Sequence, residues 1–171
     1  FSASESETKV KLLNAEKYVA AMLTDLKKAM IEGNINPKKG KLLLQDLLEK
    51  YYDSDQIAKY TVMPYWKKAT IAEKDLFTNL FEKYLIDLAS NWFQGFNDVR
   101  YDLISSNIKG KSFILVNLLL IDPGTSRHNT QLSLRLRINS KNLMKIIDVE
   151  IENISMVLVQ NDEFKSILRR N

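Results

Sequence analysis

Two periodicities divide the chain. Up to about residue 96 the apolar positions recur every three or four residues, and from about residue 97 they alternate. The first spacing gathers side chains on one face of a helix, the second on one face of a strand. The spacing predicts a first helix over about Glu7–Ile31, with Val10, Leu13, Tyr18, Met22 and Leu26 on its stripe, ended by Gly33-Asn34. Asn36 is a natural N-cap for a second helix that opens on Pro37 and carries Leu42, Leu43, Leu44, Leu47 and Leu48. A short third helix follows Asp53, which pairs with Gln56 at capping-box spacing. It stops near Met63, because the residue before Pro64 is pushed out of the helical region.

The fourth helix opens on Thr70-Ile71-Ala72-Glu73, a capping box, and presents Phe77, Leu80, Phe81, Tyr84, Leu85, Leu88 and Trp92 before it ends ahead of Gly95. Four strands are expected next, over about Asp98–Asn107, Ser112–Ile121, Thr130–Asn139 and Met144–Glu152. Lys109-Gly110-Lys111 and Asp122-Pro123-Gly124 supply the first two turns. In the third strand Leu132, Leu134, Leu136 and Ile138 face one way, Ser133, Arg135 and Arg137 the other. In the fourth, Ile147, Val149 and Ile151 oppose Asp148, Glu150 and Glu152. Such alternation marks an antiparallel meander with one covered face. A closing helix spans about Met156–Arg169. Helices first and strands last make the chain α+β, with about five helices against about four strands. The amphipathic helices carry many rings, Tyr60, Trp66, Phe77, Phe81 and Tyr84 among them. They can cover the sheet over a packed core or over a hollow one.

The length of 171 residues fits one domain, 1–171, helical over about 1–96, with the sheet and closing helix over about 97–171. Apolar residues at 45% and charged residues at 27% describe a globular chain that can build its own core. Lys plus Arg exceeds Asp plus Glu by only +4 (25 against 21), too little to suggest a nucleic-acid partner. There is no cysteine and a single histidine, His128. Disulfides, thiolate metal sites, Cys nucleophiles and His-rich zinc sites are therefore excluded, and a Ser-His-Asp arrangement would have to pass through His128. No apolar run is long enough to span a bilayer. The start, Phe1-Ser2-Ala3-Ser4-Glu5-Ser6, is small and polar, like the tail left when a leader is removed.

Three segments then carry a resemblance. The first runs from Asp55-Gln56-Ile57-Ala58 through Met63-Pro64-Tyr65-Trp66 to Thr70. The second is Leu76-Phe77-Thr78-Asn79-Leu80-Phe81-Glu82-Lys83-Tyr84-Leu85. The third is Ile147-Asp148-Val149-Glu150-Ile151-Glu152-Asn153-Ile154-Ser155-Met156, followed by Gln160-Asn161-Asp162-Glu163-Phe164. In order and spacing they resemble the MlaC family of periplasmic phospholipid carriers, also called the toluene-tolerance or auxiliary ABC-transport family, from about Lys38 to Arg170. Trp66, Thr70, Phe77, Tyr84, Asp148, Glu152, Ile154 and Ser155 fall at places of the family pattern. Met63, Met144, Ile147 and Asn153 depart from it, standing where the pattern has Gly, Trp, Tyr and Gly. Asn153 can still adopt a left-handed turn, and the other three stay apolar. Members usually continue into another helical segment where this chain stops, at Arg169-Arg170-Asn171.

The resemblance implies a twisted antiparallel sheet wrapped by helices, cystatin-like or nuclear-transport-factor-like, and favours the hollow core. It implies a periplasmic, monomeric carrier with phospholipid as cargo and no other cofactor. Its partners would be an inner-membrane MCE-domain/ABC transporter complex and an outer-membrane lipoprotein–porin complex. The inward-facing positions expected to line the cavity are Val62, Met63, Trp66, Phe77, Phe81, Tyr84 and Leu88 from the helices. From the sheet they are Val116, Leu118, Leu134, Leu136, Ile147, Val149 and Ile151. Tyr84, as a buried phenol, would need a hydrogen-bond partner. Two other readings stand beside this one: a cone-shaped enzyme with Asp148 or His128 as base, and a solid-core interaction domain. The basic pairs Lys67-Lys68 and Arg169-Arg170 and the cluster Lys38-Lys39-Gly40-Lys41 are expected on solvated faces.

Overall fold

The computed structural model describes residues 2–92, 100–110, 112–121 and 129–170. Gly95, the Asp122-Pro123-Gly124 turn and His128 lie outside them. Among the described residues five α-helices, α1 (Ser2–Ile35), α2 (Pro37–Tyr51), α3 (Ser54–Thr61), α4 (Ile71–Trp92) and α5 (Met156–Leu168), accompany strands β1 (Arg100–Lys109), β2 (Phe113–Ile121), β3 (Thr130–Ile138), β4 (Met144–Ile151) and β5 (Ile154–Ser155). The strands form one antiparallel sheet in the order β1-β2-β3-β4-β5. The fold is thus α+β, with a fifth strand of two residues that alternation over so short a stretch could not reveal.

The helix starts are set by side chains. Asn36 accepts from the Lys39 amide at 3.2 Å, Asp53 from Gln56 at 3.2 Å and Ser155 from Leu158 at 3.1 Å. At α4 the capping box is reciprocal: the Glu73 amide donates to Thr70 Oγ1 at 3.2 Å, and the Thr70 amide to Glu73 Oε2 at 2.7 Å. That backbone bond, followed by the Thr70 hydroxyl, holds the Glu73 carboxyl below its usual range. After α3 the chain turns through a cis Met63–Pro64 peptide into a 3-10 turn, Tyr65–Lys67.

One expected boundary moves. α1 runs through Gly33-Asn34 to Ile35, because Gly33 serves packing rather than termination. A Cβ placed on Gly40 of α2 would lie 2.3 Å from the Gly33 Cα. The two glycines let the α1 and α2 backbones touch. α2 is also tied at its C-terminal end: Tyr18 donates to the Tyr51 carbonyl at 3.1 Å, Tyr51 to Asp25 Oδ2 at 2.7 Å, and Lys145 to the Lys50 carbonyl at 2.7 Å. Partial burial of its phenol pushes Tyr18 up to about 12.

The main core lies between α1 and the apolar sheet face. Ala15, Val19, Met22 and Leu23 meet Ile114, Val116, Leu118, Leu132, Leu134 and Leu136. The opposite face carries a polar ladder. Ser133 donates to Asn117 Oδ1 at 2.6 Å, and the Asn117 amide reaches Ser105 Oγ at 2.9 Å. Arg135 pairs with Glu150 at 2.7 Å, and Arg137 reaches Gln56 Oε1 at 3.2 Å. These arginines are half-buried and paired.

The tight β4–β5 turn takes Glu152 and Asn153 at φ 49° and 64°. Two positive φ values in a two-residue hairpin are what a type I′ turn requires. Asn153 does adopt the left-handed backbone.

Candidate functional site

The strand face was expected to oppose the aromatic stripes of the third and fourth helices. Instead α1 covers it. Val116, Leu118, Leu134 and Leu136 are buried there, with Val149 and Ile151 packed at the margin of the same core. Ile147 is buried, at 3% exposure, but lies outside that cluster. Leu136 pairs with Ile146 and Arg135 with Asp148, so Ile147 is the extra residue of a β-bulge, and Ile146 takes its place in the core. The consecutive isoleucines were the one sequence sign of this slip.

The helical residues form a second cluster. Phe81 is buried beside Ile57 and Ala58 of α3, with Trp66, Phe77, Leu85, Val157 and Phe164 packed around it. The rings are in mutual contact: Phe77 stacks on Phe81 at 5.8 Å between centroids, and Phe164 of α5 meets Phe77 edge-on at 5.6 Å and Phe81 at 6.2 Å. Offset-stacked and edge-to-face arrangements suit the ring quadrupoles. Trp66 turns its edge to Phe77 at 6.4 Å and receives the Lys74 ammonium 5.7 Å from its centroid. A cleft of about 350 Å³ between α3 and α4 reaches Trp66 and is otherwise mostly polar, lined by Asp53, Gln56, Lys59, Asp75 and Thr78 among others.

Val62 is buried at the end of α3 and Met63 half-buried beside it. Their turn is held from α5: the buried Asn161 amide donates to the carbonyls of Tyr60 at 2.8 Å and Met63 at 3.2 Å. Asp148 is buried as well. It accepts from the Ser155 hydroxyl and from the Val157 amide at 3.1 Å, fastening the start of α5 to β4. This is a structural arrangement. Tyr84 and Leu88, expected inside, are exposed, and Tyr84 accepts from Gln160 Nε2 at 3.5 Å. They continue the stripe of Phe77 and Phe81 along α4, beyond the rings that Phe164 of α5 covers.

Tyr52 joins the two regions. It packs against both clusters and bridges to Ile146, and burial pushes its phenol up to about 12. Sequence reasoning missed Tyr52, Phe164, Asn161 and Ile146. Val157, Asn161, Phe164 and Leu168 recur at helical spacing along α5, a signal that was present but not weighed. Among the described residues no three His, Asp or Glu side chains gather as a metal site would need, and no helix is long and apolar enough to cross a membrane.

The sequence model of the MlaC protein family matches residues 16–171. This chain belongs to the MlaC family. No curated protein matches it by sequence. Among solved structures, it is similar to the phospholipid-binding protein from Ralstonia solanacearum, determined in complex with a phospholipid. The TM-score is 0.76 at 13% identity, over 90% of this chain and 87% of that one. At that identity the likeness establishes a shared fold. The MlaC match covers all three segments that carried the resemblance and most of α1.

Proposed function

We propose that this MlaC-family chain is a phospholipid carrier. It works in the periplasm, passing lipid between an inner-membrane MCE-domain/ABC transporter complex and an outer-membrane lipoprotein–porin complex. The observation that carries the reading is the family match over residues 16–171, joined to a fold shared with a protein solved with phospholipid bound. The physics of the task agrees with the residues on hand. A diacyl lipid has about 30 methylenes, so exposing its chains to water costs on the order of 20–25 kcal/mol. A carrier must cover those chains and break no bond. The helical half offers the means: a cluster of large rings between α3, α4 and α5, whose exposed apolar margin includes Leu80, Tyr84, Leu88 and Leu158.

The test is direct. The full chain is purified from a Gram-negative host, extracted with organic solvent and examined by mass spectrometry, and is then incubated with labelled donor vesicles. About one phospholipid per chain, and uptake from the vesicles, is the expected result. Protein that carries no lipid and acquires none contradicts the proposal.

A further inference from the structure

At about 100° per residue, Phe77, Phe81, Tyr84 and Leu88 fall within about 60° of one another on α4. They form one stripe, yet burial changes sharply along it: Phe81 is 3% exposed, Tyr84 42% and Leu88 49%. The stripe begins beneath Phe164 of α5 and then loses its cover. Where the cover ends, α4 and α5 meet through a polar pair, Gln160 Nε2 donating to the Tyr84 hydroxyl at 3.5 Å. That separation is at the limit of a hydrogen bond, so little is lost if it opens. Tyr84 is the acceptor of the pair. Among the described residues, no acceptor takes its own hydroxyl proton.

α3 packs directly on both α4 and α5, whereas α4 and α5 approach each other chiefly through these rings and this pair. The α3 side of α5 is held by the Asn161 bonds to Tyr60 and Met63, and among the described residues nothing comparable pins α4 to α5. An apolar seam that can part, ending at two uncharged donors, is complementary to an apolar chain with a hydrogen-bond acceptor at its end. In a diacyl glycerolipid the ester carbonyls occupy that position, between the acyl chains and the head group. Both donors are neutral, so the rim reads the ester linkage and leaves the head group in water.

We infer that the seam between α4 and α5 is the entrance for acyl chains, and that Tyr84 and Gln160 hold the ester carbonyls of a diacyl glycerolipid at its rim. The inference rests on the phospholipid reading above, and its test separates the two.

The full chain is offered mixed vesicles of diacyl phosphatidylcholine and its dialkyl ether analogue, matched in chain length and head group, and the bound lipids are compared by mass spectrometry. The wild-type chain is expected to favour the ester about fivefold, the worth of a hydrogen bond to the carbonyl oxygen that the ether lacks. The Tyr84→Phe, Gln160→Leu double variant is expected to bring that ratio near one. Because the ratio is internal to each sample, partial unfolding lowers both lipids together and leaves it unchanged. A wild-type ratio near one, or a variant that keeps the wild-type preference, overturns the rim. The entrance has its own arm. The chain has no cysteine, so Tyr84→Cys with Gln160→Cys places two unique thiols across the seam. Joining them with a bifunctional thiol reagent is expected to stop lipid uptake that the same variant shows unlinked. Linked protein that loads at the unlinked rate overturns the entrance while leaving the carrier reading standing. A wild-type chain that takes up neither lipid overturns the carrier reading and this inference with it.

Discussion

Among the described residues, the core under α1 buries far more apolar side chain than the cluster between α3, α4 and α5, and by different means. Under α1 the contacts are mostly aliphatic, spread over several strands, and supported by backbones that touch at Gly33 and Gly40. Between α4 and α5 they are a few rings and one long hydrogen bond. Many small contacts resist local opening, because every one must be broken at once. A few large rings can slide and part. The comparison teaches that apolar content alone does not mark a binding region. What matters is how the apolar residues are joined, and in this chain the tightly joined region supplies rigidity while the loosely joined one is suited to yield.

The comparison can be broken from either side. Leu136 is fully buried in the core beneath α1, so Leu136→Ala is expected to cost about 4 kcal/mol in urea denaturation. Lipid bound per folded chain should stay unchanged. A cost below about 1 kcal/mol would show that the sheet core has room to spare. Gly40→Ala is expected to cost about 3 kcal/mol, since its new Cβ would meet the Gly33 Cα at 2.3 Å. Gly33→Ala meets its nearest neighbour at 3.4 Å and should stay within about 1 kcal/mol of wild type. Equal effects at the two glycines would contradict the close crossing.

On the yielding side, Asn161→Leu leaves the Tyr60 and Met63 carbonyls without their donor and should cost about 2 kcal/mol. Phe164→Leu should cost only about 1 kcal/mol, yet change lipid loading several-fold. If it lowers stability and leaves loading alone, the rings are ordinary core. The smallest effect concerns acid. The Asp25 carboxyl is held below its usual range, first by the Lys50 ammonium and then by the Tyr51 hydroxyl. A lowered value means stability that is present above about pH 4 and is lost as the pH falls through the folded-state value. Asp25→Asn should therefore lower stability slightly at neutral pH and leave it unchanged at the acid end, so that the acid side of the stability curve flattens. The pair is solvent-exposed, so the change is also expected to shrink in high salt.

Much of this was legible in the chain. The caps at Asn36, Asp53 and Thr70 are local chemistry, and the structure uses each one. The alternation of Leu132, Leu134 and Leu136 is equally local and sets the apolar face. The failures share one cause: they depended on which element covers which. Gly33 reads as a helix stop until α2 is placed against it. Ile147 reads as the neighbour of Leu136 until the β4 bulge brings Ile146 into register there and leaves Ile147 buried outside that cluster. Tyr84 and Leu88 lie on the inward stripe of α4, but the reach of α5 decides whether that stripe is covered. Of the proposed site, the ring-bearing residues of α4 were recognisable from spacing. Their separation from the sheet residues was not, because alternation identifies a face without naming its partner.

The most direct test of the two-region account is a photo-cross-linking map. Phosphatidylcholine carrying a diazirine near the end of one acyl chain is loaded into the wild-type chain, activated by light, and its adducts are located by mass spectrometry. The account predicts adducts on α4 and α5, around Phe77, Phe81 and Phe164. Adducts on β2 and β3 around Leu118, Leu134 and Leu136 would contradict it, because the cargo would then lie beneath α1, in the region that the structure shows closed.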